Sequence, residues 1–172
     1  MFYIFCHLLL ILHLVRTITI VQCTCLLCLE ITYRVSGIPT EVVTASNGST
    51  IWSDRKYFIT KMPEELVNST LFQPTHRVDI STIEIFSVHK AMIYVGVFES
   101  KDGGLMEVLP KLGWKLEDGW FVEWNNGPKE RLHKIWSLQI EAGQSITFTT
   151  TKKDMTFAIF IAKAAEGIHF AN

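Results

Sequence analysis

Cysteine is absent from most of the chain. Cys6, Cys23, Cys25 and Cys28 are its four cysteines, and none follows Cys28. The body must therefore fold without disulfides, and no second pair is available to complete a zinc site begun by Cys25-x-x-Cys28. An excess of one charge is lacking too: 16 Lys and Arg face 17 Asp and Glu, a formal net charge of -1. Residues 1–29 carry Arg16 as their only charge, so without them the body is slightly acidic. That balance excludes the basic footprint by which nucleic acid or an anionic membrane is held, and no nucleic-acid partner is expected. The chain also has no Gly-x-Ser-x-Gly, no His-Glu-x-x-His and no phosphate loop. His76, His89 and His133 lack metal-ligand spacing. No catalytic residue, metal or cofactor is assigned on these grounds. Helical periodicity is missing from the body as well, apart from single helical turns allowed at Pro63–Leu66 and Gly104–Leu112, and there is no internal repeat or low-complexity segment.

What is present begins with an apolar N-terminus. Phe2 to Val15 is interrupted only by His7 and His13, and after Arg16 a second apolar run ends near Leu29. This pattern reads as a signal peptide, with cleavage after Cys23 or Cys25. A retained signal anchor over residues 2–29 is the alternative, against which Arg16 counts, since a charge near mid-bilayer costs roughly 2.5–3.5 kcal/mol. Two sequons follow, Asn47-Gly48-Ser49 and Asn68-Ser69-Thr70, each in a turn-rich context that suits a glycosylated surface loop. Together these features predict an extracellular product.

Beyond residue 38 the chain reads as strands. Thr82–Val88, Ala91–Phe98, Ser145–Thr149 and Met155–Ile161 are β-branched and aromatic runs bounded by turn residues. Short intervals between them predict an all-β fold, an antiparallel, jelly-roll-like β-sandwich. A length of 172 residues with 48% hydrophobic content suits one domain. The expected organisation is a signal peptide or anchor at 1–28, a linker or first strand at 29–47, the sandwich at 48–165 and a C-terminal tail at 166–172.

Asp118-Gly119 is a two-residue turn signal. A hairpin folded about it pairs Glu117 with Trp120, Leu116 with Phe121 and Lys115 with Val122. Trp114, Leu116 and Phe121 then share a core face, while Lys115, Glu117, Trp120, Val122 and Trp124 share a second face that mixes indoles with charge. Trp120 and Trp124 are the candidate sugar platform, flanked by Lys115 and Glu117, because a pyranose ring packs on an indole while its hydroxyls reach polar groups. The competing reading buries both indoles against the second sheet. Glu64, Glu65, Glu117, Asp118 and Glu123 are the acids from which a glycosidase pair would have to come.

Ser53-Asp54-Arg55-Lys56-Tyr57, then Met62-Pro63-Glu64-Glu65-Leu66, Thr70-Leu71-Phe72 and Ile93-Tyr94-Val95-Gly96-Val97, resemble a β-sandwich module of bacterial secreted polysaccharide-active and surface proteins. The resemblance covers Gly48 to Lys163 and implies an association with carbohydrate; it supplies no catalytic residues. Gln73-Pro74-Thr75-His76 stands where that pattern often has an Asn-Asp-Lys run, which leaves any ligand or metal role of the run unsupported here. Asp54 and Arg55 are either a clamp for sugar hydroxyls or an ion pair at a strand start. The expected function is a secreted, noncatalytic carbohydrate-binding module with a glycan partner. The alternatives are an extracellular structural or protein-interaction sandwich and a small glycan-active enzyme. The N-terminal reading predicts an exported product that begins shortly after residue 22, which intact-mass measurement of secreted protein checks; a full-length, membrane-retained product would instead establish the anchor.

Overall fold

The computed structural model describes residues 33–126, 129–152 and 156–163, which belong to one compact unit. The N-terminal segment with its cysteines and the tail at 166–172 lie outside the described residues. Ten strands are described: β1 (Tyr33–Ser36), β2 (Thr40–Thr44), β3 (Ile59–Lys61), β4 (Thr70–Pro74), β5 (Thr82–Ser87), β6 (Ala91–Val97), β7 (Lys115–Asn126), β8 (Lys129–Ile140), β9 (Ser145–Thr149) and β10 (Phe157–Lys163). They form two antiparallel sheets, a small one in the order β1-β5-β9 and a large one in the order β2-β4-β10-β6-β8-β7-β3. The sandwich expected from the strand runs is the observed fold.

Side-chain alternation explains the layering. In β5, buried Ile83 and Ile85 alternate with the more exposed Thr82, Glu84 and Phe86, the signature of a strand with one dry face. β6 and β10 are dry on both faces. Ile93, Val95 and Val97 of β6 and Phe157, Ile159 and Ile161 of β10 meet Ile83, Ile85 and Phe148 of the small sheet. Burying each such side chain contributes about 1.5–3 kcal/mol. A helix, α1 (Leu105–Lys111), adds Leu105 and Leu109 to this core. It lies inside the Gly104–Leu112 segment where a helical turn was allowed, and a 3-10 turn at Glu64–Leu66 occupies the other.

The opposite face of the large sheet needs a second cover, because Tyr94, Ala158, Phe160 and Ile135 point there and are buried. The chain from Ala45 to Leu66 supplies it with Ala45, Ile51, Trp52, Ile59, Met62 and Leu66. This segment also ties the two edges of the sheet together. Gly48 N–H donates to Ile59 O at 2.8 Å and Ile59 N–H to Ser49 O at 2.8 Å, while Ala45 and Ser69 join beside β4 at 2.9 Å. Pairing the edges in this way leaves fewer open strand groups.

Three expectations are corrected. The sandwich begins before residue 48, since β1 and β2 place strands of both sheets within residues expected to be a linker or a single first strand. Asp118-Gly119 is not a hairpin turn. β7 runs through it, with Leu116 opposite Trp136 and Phe121 opposite Lys134, so Glu117 to Trp120 bulge out opposite Ile135. Gly119 has φ +71°, and a glycine in that conformation serves a bulge as well as a tight turn, so the dipeptide signal was ambiguous. The strand paired with β7 is β8, whose charged stretch at Lys129–Lys134 hid it from the sequence reading.

The assignment of faces changes with the hairpin. Trp114 is buried, but Leu116, expected in the core, is 40% exposed; Val122 and Trp124, expected on an open face, are buried at 0% and 2%. Urea unfolding checks this arrangement: Leu116→Thr is expected to change stability by no more than about 0.5 kcal/mol, and Phe160→Ala to cost about 3–5 kcal/mol. Comparable losses from both would restore the hairpin faces.

Candidate functional site

The site starts from a buried block of aromatic rings. Trp52 is completely buried, and its indole N–H donates to Phe157 O at 3.2 Å, which satisfies the polar atom that burial would otherwise strand. Its ring meets Trp124 at 4.6 Å, His76 at 4.7 Å, His133 at 5.7 Å and Tyr57 at 5.8 Å between centroids, edge-on for all but the tilted His133. Tyr57 in turn stacks on Trp124 at 5.5 Å with the planes 23° apart. Such pairs add about 0.5–1.5 kcal/mol each beyond their buried area. Gly96 makes room beneath the block, for a Cβ there would meet His133 Cβ at 3.3 Å.

Beside this block lies a cleft of about 210 Å³. Tyr57, Phe98 and Trp124 give it aromatic walls, Arg77, Lys101 and Arg131 bring cations, and His76 and Thr156 complete it. Arg131 of β8 sets its guanidinium carbon 5.5 Å from the Phe98 ring centre and 5.9 Å from that of Trp124. The Thr156 hydroxyl donates to His76 O at 3.1 Å and fixes the wall between β4 and β10. Trp124 Nε1, Arg131 Nε and His76 Nδ1 are buried without a hydrogen-bond partner among the described residues. No Asp or Glu lines the cleft among those residues.

The structure separates the residues expected to form one site. Asp54 and Arg55 sit next to the cleft, where Asp54 Oδ1 accepts the His76 backbone N–H at 2.7 Å and Oδ2 pairs with Arg55 at 3.3 Å. Their geometry is that of an ion pair holding a turn. Trp124 lines the cleft, as no open platform but as its buried wall. Trp120 is not part of the cleft; half-buried, it stacks on Tyr94 at 6.0 Å. Lys115 and Glu117 gather at the β7 bulge, Nζ 3.5 Å from Oε2, and the Ser137 hydroxyl donates to Glu117. The two-indole platform with flanking Lys115 and Glu117 is therefore not formed: burial of Trp124 under the Ala45–Leu66 cover removes it. Asn47 and Asn68 are exposed, Asn68 with φ +65°.

Sequence reasoning missed Trp52, His76, Phe98, Lys101 and Arg131. A signal existed for one of them: in β8, Arg131 and His133 fall on the same alternation as buried Ile135, so two polar residues occupy inward positions. His133 is fully buried with neither ring nitrogen hydrogen-bonded among the described residues, and burial, reinforced by His76, pushes its pKa down to about 3. His76 is also lowered, first by burial and then by Arg55, with Arg77 and Lys101 acting the same way against the opposing charge of Asp54. The cleft wall carries Arg77, Lys101 and Arg131 and no Asp or Glu among the described residues.

No protein-family model matches the chain, and no curated protein matches it. Among solved structures, part of a beta-glucuronidase from glycoside hydrolase family 2 is similar, with a TM-score of 0.54 and 12% identity over 78% of this chain and 14% of that one. What the two share is a fold. A GH138 enzyme targeting pectin rhamnogalacturonan II aligns with a TM-score of 0.46 and 16% identity over 73% of this chain and 16% of its own. This chain thus spans only a small part of either enzyme.

The state of His133 gives a pH test. Its folded pKa lies below the ordinary 6.5, so above pH 6.5 it is neutral folded or unfolded and exerts no effect. Below 6.5 the unfolded chain binds the proton first, and stability falls by up to about 1.4 kcal/mol per pH unit until the pH nears 3. His133→Leu is expected to remove this share, so the stability difference between wild type and variant shifts by roughly 2–3 kcal/mol between pH 7 and pH 4.5 in urea unfolding. Parallel pH profiles would refute the buried neutral imidazole.

Proposed function

We propose that the chain is an exported, noncatalytic carbohydrate-binding β-sandwich whose ligand sits in the cleft at Tyr57, Phe98 and Trp124. The observation that carries this reading is the joining of aromatic walls to unpartnered hydrogen-bonding atoms in one small recess. Sugar rings present apolar C–H faces and polar hydroxyls together, and a site for them needs both kinds of surface. The volume of about 210 Å³ is below the roughly 300–1,000 Å³ of pockets for drug-sized molecules, and suits a single sugar residue of a chain. Glycoside hydrolysis ordinarily uses two carboxyl groups flanking the bond. The wall offers none among the described residues, and that composition favours binding without turnover. The fold shared with part of a glycoside hydrolase is in keeping with this reading. Export is supported by the apolar N-terminus and by sequon asparagines that are exposed, where glycans could attach.

One observation favours a protein-contacting sandwich as the second reading. Leu116 and Leu132 are 40% and 47% exposed on adjacent strands, with half-buried Phe121 between charged neighbours on the same sheet face. A glycan array probed with the folded chain separates the two. Carbohydrate binding predicts selective retention on a subset of glycans, weakened about tenfold by Tyr57→Ala and unchanged by Leu132→Asp. No retention by a folded chain would end the carbohydrate reading and leave the leucine face as the functional surface.

A further inference from the structure

We infer that the sugar taken by the cleft carries a carboxylate, and that Arg131 and Lys101 read it. The inference rests on the carbohydrate-binding reading and narrows it to uronate residues. The cleft is rich in donors and poor in acceptors. Arg131 Nε and Trp124 Nε1 are buried without an acceptor, and no carboxylate lies within ion-pair distance of Arg131 or Lys101 among the described residues. A half-buried guanidinium left in that state is costly, and an anion arriving in the recess relieves the cost.

The geometry also suits a planar anion. Phe98 and Trp124 hold the guanidinium carbon at 5.5 and 5.9 Å from their ring centres, a cation–π arrangement that limits how the fork can turn. A guanidinium so placed binds carboxylate through two parallel N–H bonds, whereas an ammonium acts as a point charge. Lys101 supplies that second, less directional charge from the 3-10 turn Glu99–Lys101 on the same rim. Half-buried Tyr57, backed by its stack on Trp124, provides the apolar surface on which the sugar ring rests. An acidic sugar unites the features that each part of the recess recognises: an apolar ring face for the aromatic walls and a carboxylate for the cations.

Calorimetric titration of the full chain with glucuronate, glucose, glucose 6-sulfate and acetate tests the inference. Glucuronate is expected to bind at least about tenfold more tightly than glucose, since hydrogen bonds to a charged group are worth about 1.5–3 kcal/mol. Acetate should bind too weakly to measure, and glucose 6-sulfate less tightly than glucuronate. Arg131→Gln should abolish the preference, and Arg131→Lys should keep part of it. Lys101→Gln, in the 3-10 turn outside the sheets, should weaken glucuronate but not glucose, and it decides the matter if Arg131→Gln fails to fold. Equal binding of glucuronate and glucose would overturn the inference while leaving the carbohydrate reading intact. Equal binding of glucuronate and acetate would overturn it in favour of a simple anion hole, and equal binding of glucose 6-sulfate would remove the selectivity for carboxylate. If no sugar binds, both readings fall.

Discussion

The hydrogen bond from the Trp52 indole to Phe157 O is the contact on which the rest of the arrangement hangs. Strands β6 and β10 carry apolar side chains on both faces, so the large sheet is stable in water only if both faces are covered. The small sheet covers one. The other depends on a stretch with little regular structure, Ala45 to Phe58, which must stay on the sheet at the expense of its own conformational entropy. A fully buried indole supplies a large apolar area for that purpose, and its N–H finds a backbone acceptor at the start of β10. One side chain thus fastens the cover to a strand that lies far away in sequence.

The cleft is a consequence of that fastening. With Trp52 in place, Tyr57 is carried over Trp124, and Asp54 reaches the His76 backbone, so the cover and the β4 end are joined beside the recess. β8 brings Arg131 to the same place, and the 3-10 turn after β6 brings Phe98 and Lys101. The dry ground beneath, with neutral His133 pressed against Trp52, Trp124 and Phe98, lowers the local dielectric. Electrostatic contacts made at its edge are stronger for it, and an unmatched charge there is more costly.

The strands of the central layers were legible because their composition is one-sided: Ala91–Val97 and Phe157–Ile161 are apolar on both faces and can only be interior. β8 was hidden because Lys129 to Lys134 is charged or polar at every position but Leu132, and its strand nature comes from pairing with β6 and β7. Asp118-Gly119 misled for a specific reason: a left-handed glycine is demanded by a hairpin turn and by a bulge alike, and only the partner strand decides between them. Of the candidate site, Trp124 and the neighbouring Asp54 were visible in the sequence, although Trp124 was placed on an open face. Their partners were not, because Arg131 comes from β8 and His76, Phe98 and Thr156 from the loops beside β4, β6 and β10, and they share no spacing that a linear pattern can reveal.

Amide hydrogen exchange of Trp52→Phe against wild type measures the fastening directly. The substitution keeps most of the buried bulk and deletes the N–H that reaches Phe157 O. The account predicts faster exchange confined to residues 48–59 and to the start of β10, with β6 and the small sheet protected as before. Unchanged protection across 48–59, or a uniform loss over both sheets, would contradict it.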